Sequence, residues 1–98
     1  MTAGTISESA VVVAATDVLV SEFGDELVLL NLRDGVYYGL EAVGARLWAL
    51  LKQPTTLAAI RDALVSEYDV EPKRCERDAR ALIEDLVARG LVMIPEQR

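Results

Sequence analysis

Residues Arg33 to Gly44 read RDGVYYGLEAVG, and this stretch organises the chain. Asp34-Gly35 is a turn pair of the kind that closes a tight type I′ hairpin. Val36–Leu40 then has the β-branched and aromatic character of a strand. From Glu41 the spacing changes from two to that of a helix, with Val43, Leu47, Leu50 and Leu51 on one face and Trp48 beside them. A strand therefore runs straight into a helix. Upstream, DVLVSEF and ELVLLNLR are apolar runs separated by Gly24-Asp25, which suits a two-residue type II′ loop. Two tight loops in succession predict a three-stranded antiparallel meander.

Downstream, Pro54 stops the first helix and Thr55 or Thr56 can cap the second, whose stripe is Leu57, Ile60 and Leu64. That helix ends near Tyr68, and Pro72 is suited to the first turn of a third. The third stripe reads Cys75, Ala79, Leu82, Ile83, Leu86 and Val87, and Gly90 supplies the C-terminal turn. VVVAA from Val11 is a first short strand or an arm packed on the sheet, and LVMI from Leu91 is a last apolar segment. The expected fold is α+β and winged-helix-like, a three-stranded antiparallel meander followed by three α-helices. Residues 1–10 are expected to be a flexible N-terminus, 11–95 one domain, and 96–98 a polar tail.

The bulk numbers agree with one domain. The chain has 98 residues, 52% hydrophobic and 27% charged, enough for a core. Its net charge of −6 opposes binding to phosphate backbones and anionic membrane surfaces, so neither nucleic acid nor membrane is an expected partner. The first ten residues lack a signal-peptide pattern, and AVVVAA is too short to span a bilayer. With one cysteine, Cys75, and no histidine, a reducing cytoplasm is the expected compartment.

The same inventory removes most chemistry. Without histidine there is no Ser-His-Asp triad and no histidine metal ligand. Cys75 lies on an apolar stripe and reads as a structural thiol. No glycine spacing matches a phosphate loop. Glu84-Asp85 are adjacent on a helix and point apart. No catalytic residue, cofactor or metal is expected, and the chain reads as a binding protein.

The hairpin fixes what the third strand offers. With a two-residue loop at Asp34-Gly35, Arg33 faces Val36, Asn31 faces Tyr38, and Leu29 faces Leu40. The backbones of Val36, Tyr38 and Leu40 then point into the sheet, and those of Tyr37 and Gly39 point out from its edge. Proteins commonly protect such an edge with lysine, proline or a bulge, and none is present here. The plain alternative is that Gly39 ends the strand and the tyrosines fill the core. Both sheet faces are apolar: one carries Leu19, Val28, Leu30, Leu32 and Tyr37, the other Val18, Val20, Leu27, Leu29, Tyr38 and Leu40. Helices can cover one face; the other needs the terminal segments or a second molecule, and the terminal segments are expected to cover much of it. The third helix has a secondary face of Arg74, Asp78, Ala81, Asp85 and Ala88, where small residues leave a groove rimmed by carboxylates. An ordinary solvated face is the alternative.

DGVYYGLEAVGARLWALL, TTLAAIRDALVSEYDV and DARALIEDLVARGLV together resemble the PqqD family, small domains also called precursor-peptide recognition elements. The resemblance runs from about Asp17 to Ile94. Its most specific parts are Tyr38-Gly39-Leu40 followed by Val43-Gly44 and Trp48, and Asp78 with Leu86 and Gly90-Leu91. It implies a non-catalytic domain that binds the leader segment of a ribosomally made precursor peptide. The leader would add as a strand to Val36, Tyr37, Tyr38, Gly39 and Leu40 and lie against Arg74, Asp78, Ala81, Leu82 and Asp85. Within the family, VYYGL in a free-standing chain looks most like the lasso-peptide type, which works beside a cysteine leader peptidase and a ring-closing cyclase. The pyrroloquinoline-quinone type, serving a radical enzyme, is the alternative within the family. A winged-helix DNA regulator and a homodimerisation module are the alternatives outside it. The third helix interleaves Lys73, Arg74, Arg77, Arg80 and Arg89 with Glu76, Asp78, Glu84 and Asp85, which leaves no clean basic face.

Overall fold

The computed structural model describes residues 6–95. Strands β1 (Val11–Ala14), β2 (Val18–Phe23), β3 (Glu26–Asn31) and β4 (Tyr37–Glu41) lead into helix α1 (Ala42–Leu50). A two-residue strand β5 (Thr55–Thr56), helices α2 (Leu57–Glu67) and α3 (Pro72–Ala88), and strand β6 (Val92–Met93) follow. The meander β2-β3-β4 and the three helices form the expected α+β architecture. Pro72 opens α3, and Glu71 caps it by accepting from the amides of Arg74 and Lys73. Thr56 caps α2 through the amide of Ala59.

The core is aliphatic: Leu29 and Leu40 of the meander, Leu47, Trp48 and Leu51, the α2 stripe, and Cys75, Ala79, Ile83 and Leu86 of α3 are all buried. The expected helix stripes thus face one another across the interior, and Leu91 and Val92 close its base.

Four features depart from the sequence reading. First, the Asp34-Gly35 hairpin is not a two-residue type I′ turn. The loop has four residues, Leu32–Gly35, closed by the Asn31 amide donating to the Val36 carbonyl (3.0 Å) and the Gly35 amide donating to the Asn31 carbonyl (2.8 Å). Only Gly35 has positive φ, +75°, whereas a type I′ turn needs it at both central residues. Tyr38 therefore pairs with Leu29 and Leu40 with Leu27. The cause is Asn31, which is 3% exposed. Its side chain accepts from the Arg33 amide (2.9 Å) and donates to the Arg89 carbonyl (3.0 Å) at the end of α3. That tether makes Asn31 the last residue of its strand. By contrast, Gly24-Asp25 is a two-residue loop as expected, with Gly24 at φ +64°.

Second, β1 does not lie on the meander. It pairs with β5 and β6 in a separate small sheet, so Thr55 and Thr56 are strand as well as cap. Third, the terminal segments in consequence leave the outer face of the meander uncovered among the described residues. Leu19, Phe23 and Tyr37 are exposed there, Phe23 by 63%. Fourth, the segment expected to be a flexible N-terminus is anchored at Ile6, although Ser7, Glu8 and Ser9 are exposed; residues 1–5 and the tail 96–98 lie outside the described residues. Ile6 is buried, its amide donates to Glu84 (2.9 Å), and the Ala58 amide donates to the Glu8 carbonyl (3.0 Å).

An ionic network holds this N-terminal strap to α2 and α3. The Arg61 guanidinium reaches Glu76 (2.7 Å), Glu8 (3.0 Å) and Asp62 (3.0 Å). Arg80 reaches Glu76 (2.9 Å) and the Ile6 carbonyl. Hydrogen bonds from Arg61 and then Arg80 hold the Glu76 carboxyl below the usual glutamate value. Because that value is depressed by folding, its contribution is complete above the unfolded value of about 4.3 and is lost as pH falls through the folded value. Glu76→Gln is expected to show a flatter loss of melting temperature on acidification through that window than the wild type. A parallel slope would place the acid sensitivity elsewhere.

The joint between β4 and α1 is strained. Ala42 has φ +47°, a left-handed conformation that costs a residue with a Cβ about 1–2 kcal/mol. Glycine would relieve this at an entropic cost of about 0.4–1 kcal/mol in the unfolded chain. Ala42→Gly is therefore expected to melt a few degrees above the wild type, and β-branched Ala42→Val well below it. Calorimetry of the two variants checks the order.

Candidate functional site: an open strand edge beside an apolar cavity

The meander runs β2-β3-β4, so among the described residues β4 has a neighbour on one side only. The Asn31–Val36 hydrogen bond sets the alternation along the pair. Leu29–Tyr38 and Leu27–Leu40 are then the hydrogen-bonded pairs, and the backbones of Tyr37 and Gly39 face the open edge. The register differs from the expected one by two residues, which changes neither the face of any side chain nor the direction of any amide. Nothing lies within 4 Å of where a Cβ on Gly39 would sit. Gly39 is not at positive φ, so its contribution is open space rather than an unusual backbone. Tyr37 is 66% exposed on the outer face.

On the helix face, a cavity of about 460 Å³ opens between α1, the loop before α3 and the first half of α3. Val43, Gly44 and Leu47 form its α1 wall. Tyr68 and Val70 close one end, and Arg74, Cys75, Asp78 and Leu82 come from α3. Gly44 keeps that floor low: a Cβ there would sit 3.3 Å from Leu40 Cδ2 and 3.6 Å from Leu82 Cδ2. The lining is apolar, with Asp69, Glu71, Arg74 and Asp78 supplying charge.

The residues singled out from sequence fall into three groups. Arg74, Asp78 and Leu82 line the cavity. Ala81 is exposed one helical step away, on the face it shares with Asp78 and Asp85. Leu40 is buried beneath the strand, and Val36 precedes β4, its amide donating to Asp34 Oδ1 (3.0 Å). Tyr38 and Asp85 are joined to each other: the Tyr38 hydroxyl donates to Asp85 Oδ2 at 2.6 Å. Arg89 donates to Asp85 Oδ1 at 3.2 Å, and its guanidinium carbon lies 4.8 Å from the centre of the Tyr38 ring. The shared hydrogen bond pushes the Tyr38 phenol up and the Asp85 carboxyl down from their ordinary values.

Val43, Gly44, Leu47, Tyr68, Val70 and Cys75 belong to the cavity and were not among the expected contacts. Helical spacing places Val43, Leu47 and Cys75 on core stripes. It cannot report where two stripes diverge. Cys75 is held as the thiol, first by burial and then by Asp78, which is unfavourable for nucleophilic chemistry. Among the described residues no group of three or more metal-ligating side chains comes together, and no helix is long and apolar enough to cross a membrane.

The family described as Coenzyme PQQ synthesis protein D (PqqD) matches residues 26–92, from the start of β3 to the start of β6. The chain belongs to the PqqD family. Two similar solved structures carry more detail about PqqD-type architecture. One is TbiB1 in complex with the TbiA(beta) leader peptide, 35% identical with a TM-score of 0.78, covering 87% of this chain and 99% of that one. The other is a lasso peptide synthetase B1 complexed with the leader peptide, 29% identical with a TM-score of 0.74, covering 84% and 96%. Among curated proteins none matches. The open edge and the cavity are thus features of a PqqD fold whose relatives were solved with leader peptides bound.

Proposed function

We propose that this protein is a non-catalytic recognition element for the leader segment of a ribosomally synthesised precursor peptide in lasso-peptide assembly. The leader adds as a strand to β4, taking up the outward backbone groups of Tyr37 and Gly39. It sets one or two apolar or aromatic side chains into the cavity between α1 and α3. Backbone bonds then supply affinity and the cavity supplies selectivity. The observation that carries this reading is the unprotected β4 edge, with an apolar cavity whose Gly44 wall rests on Leu40 of the same strand, in a chain 35% identical to a protein solved with a leader peptide.

The uncovered outer face, with Leu19, Phe23 and Tyr37, leaves apolar surface for a cysteine leader peptidase and a cyclase while the leader is held on the edge. A role in DNA regulation gains no support from α3, where Arg77, Arg80 and Arg89 are paired with Asp78, Glu76 and Asp85.

The test is a titration of the protein with a synthetic leader segment of its precursor peptide, with Ala81→Glu in parallel. Wild type is expected to bind. Ala81→Glu, which sets a bulky charge on the groove face of α3, is expected to bind at least about tenfold more weakly with its fold intact. Equal affinity would move the site off α3. Incubation of the protein alone with the whole precursor should leave the precursor mass unchanged, and cleavage or ring closure would overturn the non-catalytic assignment.

A further inference from the structure

We infer that Tyr38 and Asp85, with Arg89, are positioning residues: they hold the docking strand at a fixed distance from α3 and so set the width of the cleft that receives the peptide. The inference rests on the leader-binding reading above and assigns these side chains a role other than contact with the leader.

The two halves of α3 stand in different relations to the meander. The C-terminal half is riveted to it. Tyr38 of β4 reaches Asp85 at 2.6 Å, within the range of a short charge-assisted bond. Arg89 completes the group by bonding Asp85 and stacking over the Tyr38 ring. One turn of chain away, buried Asn31 of β3 donates to the Arg89 carbonyl, and Arg33 donates to the Gly90 carbonyl (3.4 Å). The N-terminal half of α3 instead lines the cavity with Arg74, Asp78 and Leu82. The cleft is thus closed at the Asp85 end and open at the Asp78 end.

Both oxygens of Asp85 already serve the protein: Oδ2 accepts from Tyr38 and Oδ1 from Arg89. The arrangement makes Asp85 an anchor for the strand that the leader joins. Strand addition requires the edge and the cavity to be correctly separated before the peptide arrives, and a separation set in advance lowers the ordering cost of binding. Without the bridge, β4 keeps its bonds to β3 but loses its tie to the helix.

Coupling distinguishes positioning from contact. Leader affinity is measured by titration for Tyr38→Phe, Asp85→Ala and the double variant, using the same synthetic leader. Tyr38→Phe keeps the ring and its stacking, so the fold is retained. Tyr38→Phe is expected to weaken binding about fivefold, the worth of one hydrogen bond; Asp85→Ala, which also frees Arg89, is expected to weaken it at least as much, and the double variant no more than Asp85→Ala alone. Arg61→Gln, which loosens α3 on its opposite side, serves as the stability control: its melting temperature falls while its affinity stays at the wild-type value. Single-variant losses that multiply in the double variant would mean two independent contacts and overturn the inference. So would single variants that bind as well as wild type, or an affinity loss in Arg61→Gln that tracks melting temperature. A wild-type protein with no affinity for the leader would overturn the function itself, and the inference with it. That result is read in the wild type before any variant is compared.

Discussion

Tyr37→Pro is expected to melt near the wild type and to lose about a hundredfold in leader affinity. Proline removes the backbone donor and fixes φ near −65°. At most strand positions this breaks the ladder, but an edge position whose N–H points outward tolerates it. Tyr37 is such a position, because Leu29–Tyr38 and Leu27–Leu40 carry the bonds to β3. The variant would present an incoming strand with a missing donor and a ring in its place. An unmet carbonyl in the complex costs about 1–3 kcal/mol, and the obstruction adds to it. Tyr37→Phe removes the exposed hydroxyl alone and should bind almost normally. Tyr38→Pro should differ in kind, lowering stability itself, since its amide belongs to the β3–β4 ladder. Melting temperature and leader affinity measured together for the three variants separate these effects. Tight binding by Tyr37→Pro would remove β4 as the docking edge.

Ile83→Ala carries the largest expected loss of stability. Ile83 is wholly buried in the middle of α3, within the core shared with α2 and the meander. Truncating it to alanine removes transfer free energy and leaves a void, together costing about 2–5 kcal/mol. For a domain of this size each kcal/mol corresponds to roughly 4–8 °C, so the midpoint should fall by at least about 8 °C. Saturating leader should recover part of that fall by mass action, because only the folded state offers the edge. Thermal denaturation with and without leader measures both. A shift below about 4 °C would mean that the core closes around the smaller side chain.

Much of this architecture is local and therefore legible in the chain. Period-two apolar runs, Gly24-Asp25 and the switch to helical spacing after Glu41 define the meander and its passage into α1. Pro72 and the stripe from Cys75 to Val87 define α3. The outward direction of the Tyr37 and Gly39 amides also survives, although the hairpin register differs by two residues. Side-chain face and hydrogen-bond direction both repeat with period two, so an even slip preserves them.

What the tertiary structure alone decides lies between elements. The four-residue loop depends on Asn31 finding the carbonyl of Arg89, 58 positions away in sequence. No turn propensity contains that partner. The pairing of β1 with β5 and β6, which leaves the outer face open, joins segments far apart in the chain, and a strand signal at Val11 does not name its partners. The cavity exists because the α1 and α3 stripes part beside Gly44, and spacing reports which residues are apolar but not whether opposing stripes touch. Tyr38 and Asp85 were both marked from sequence as peptide contacts, yet only the packed structure shows them bonded to each other. Period and propensity act over a few neighbouring residues, and they set the elements and the free edge. The cleft's width and depth come from contacts between residues distant in the chain, which exist only once the elements are packed.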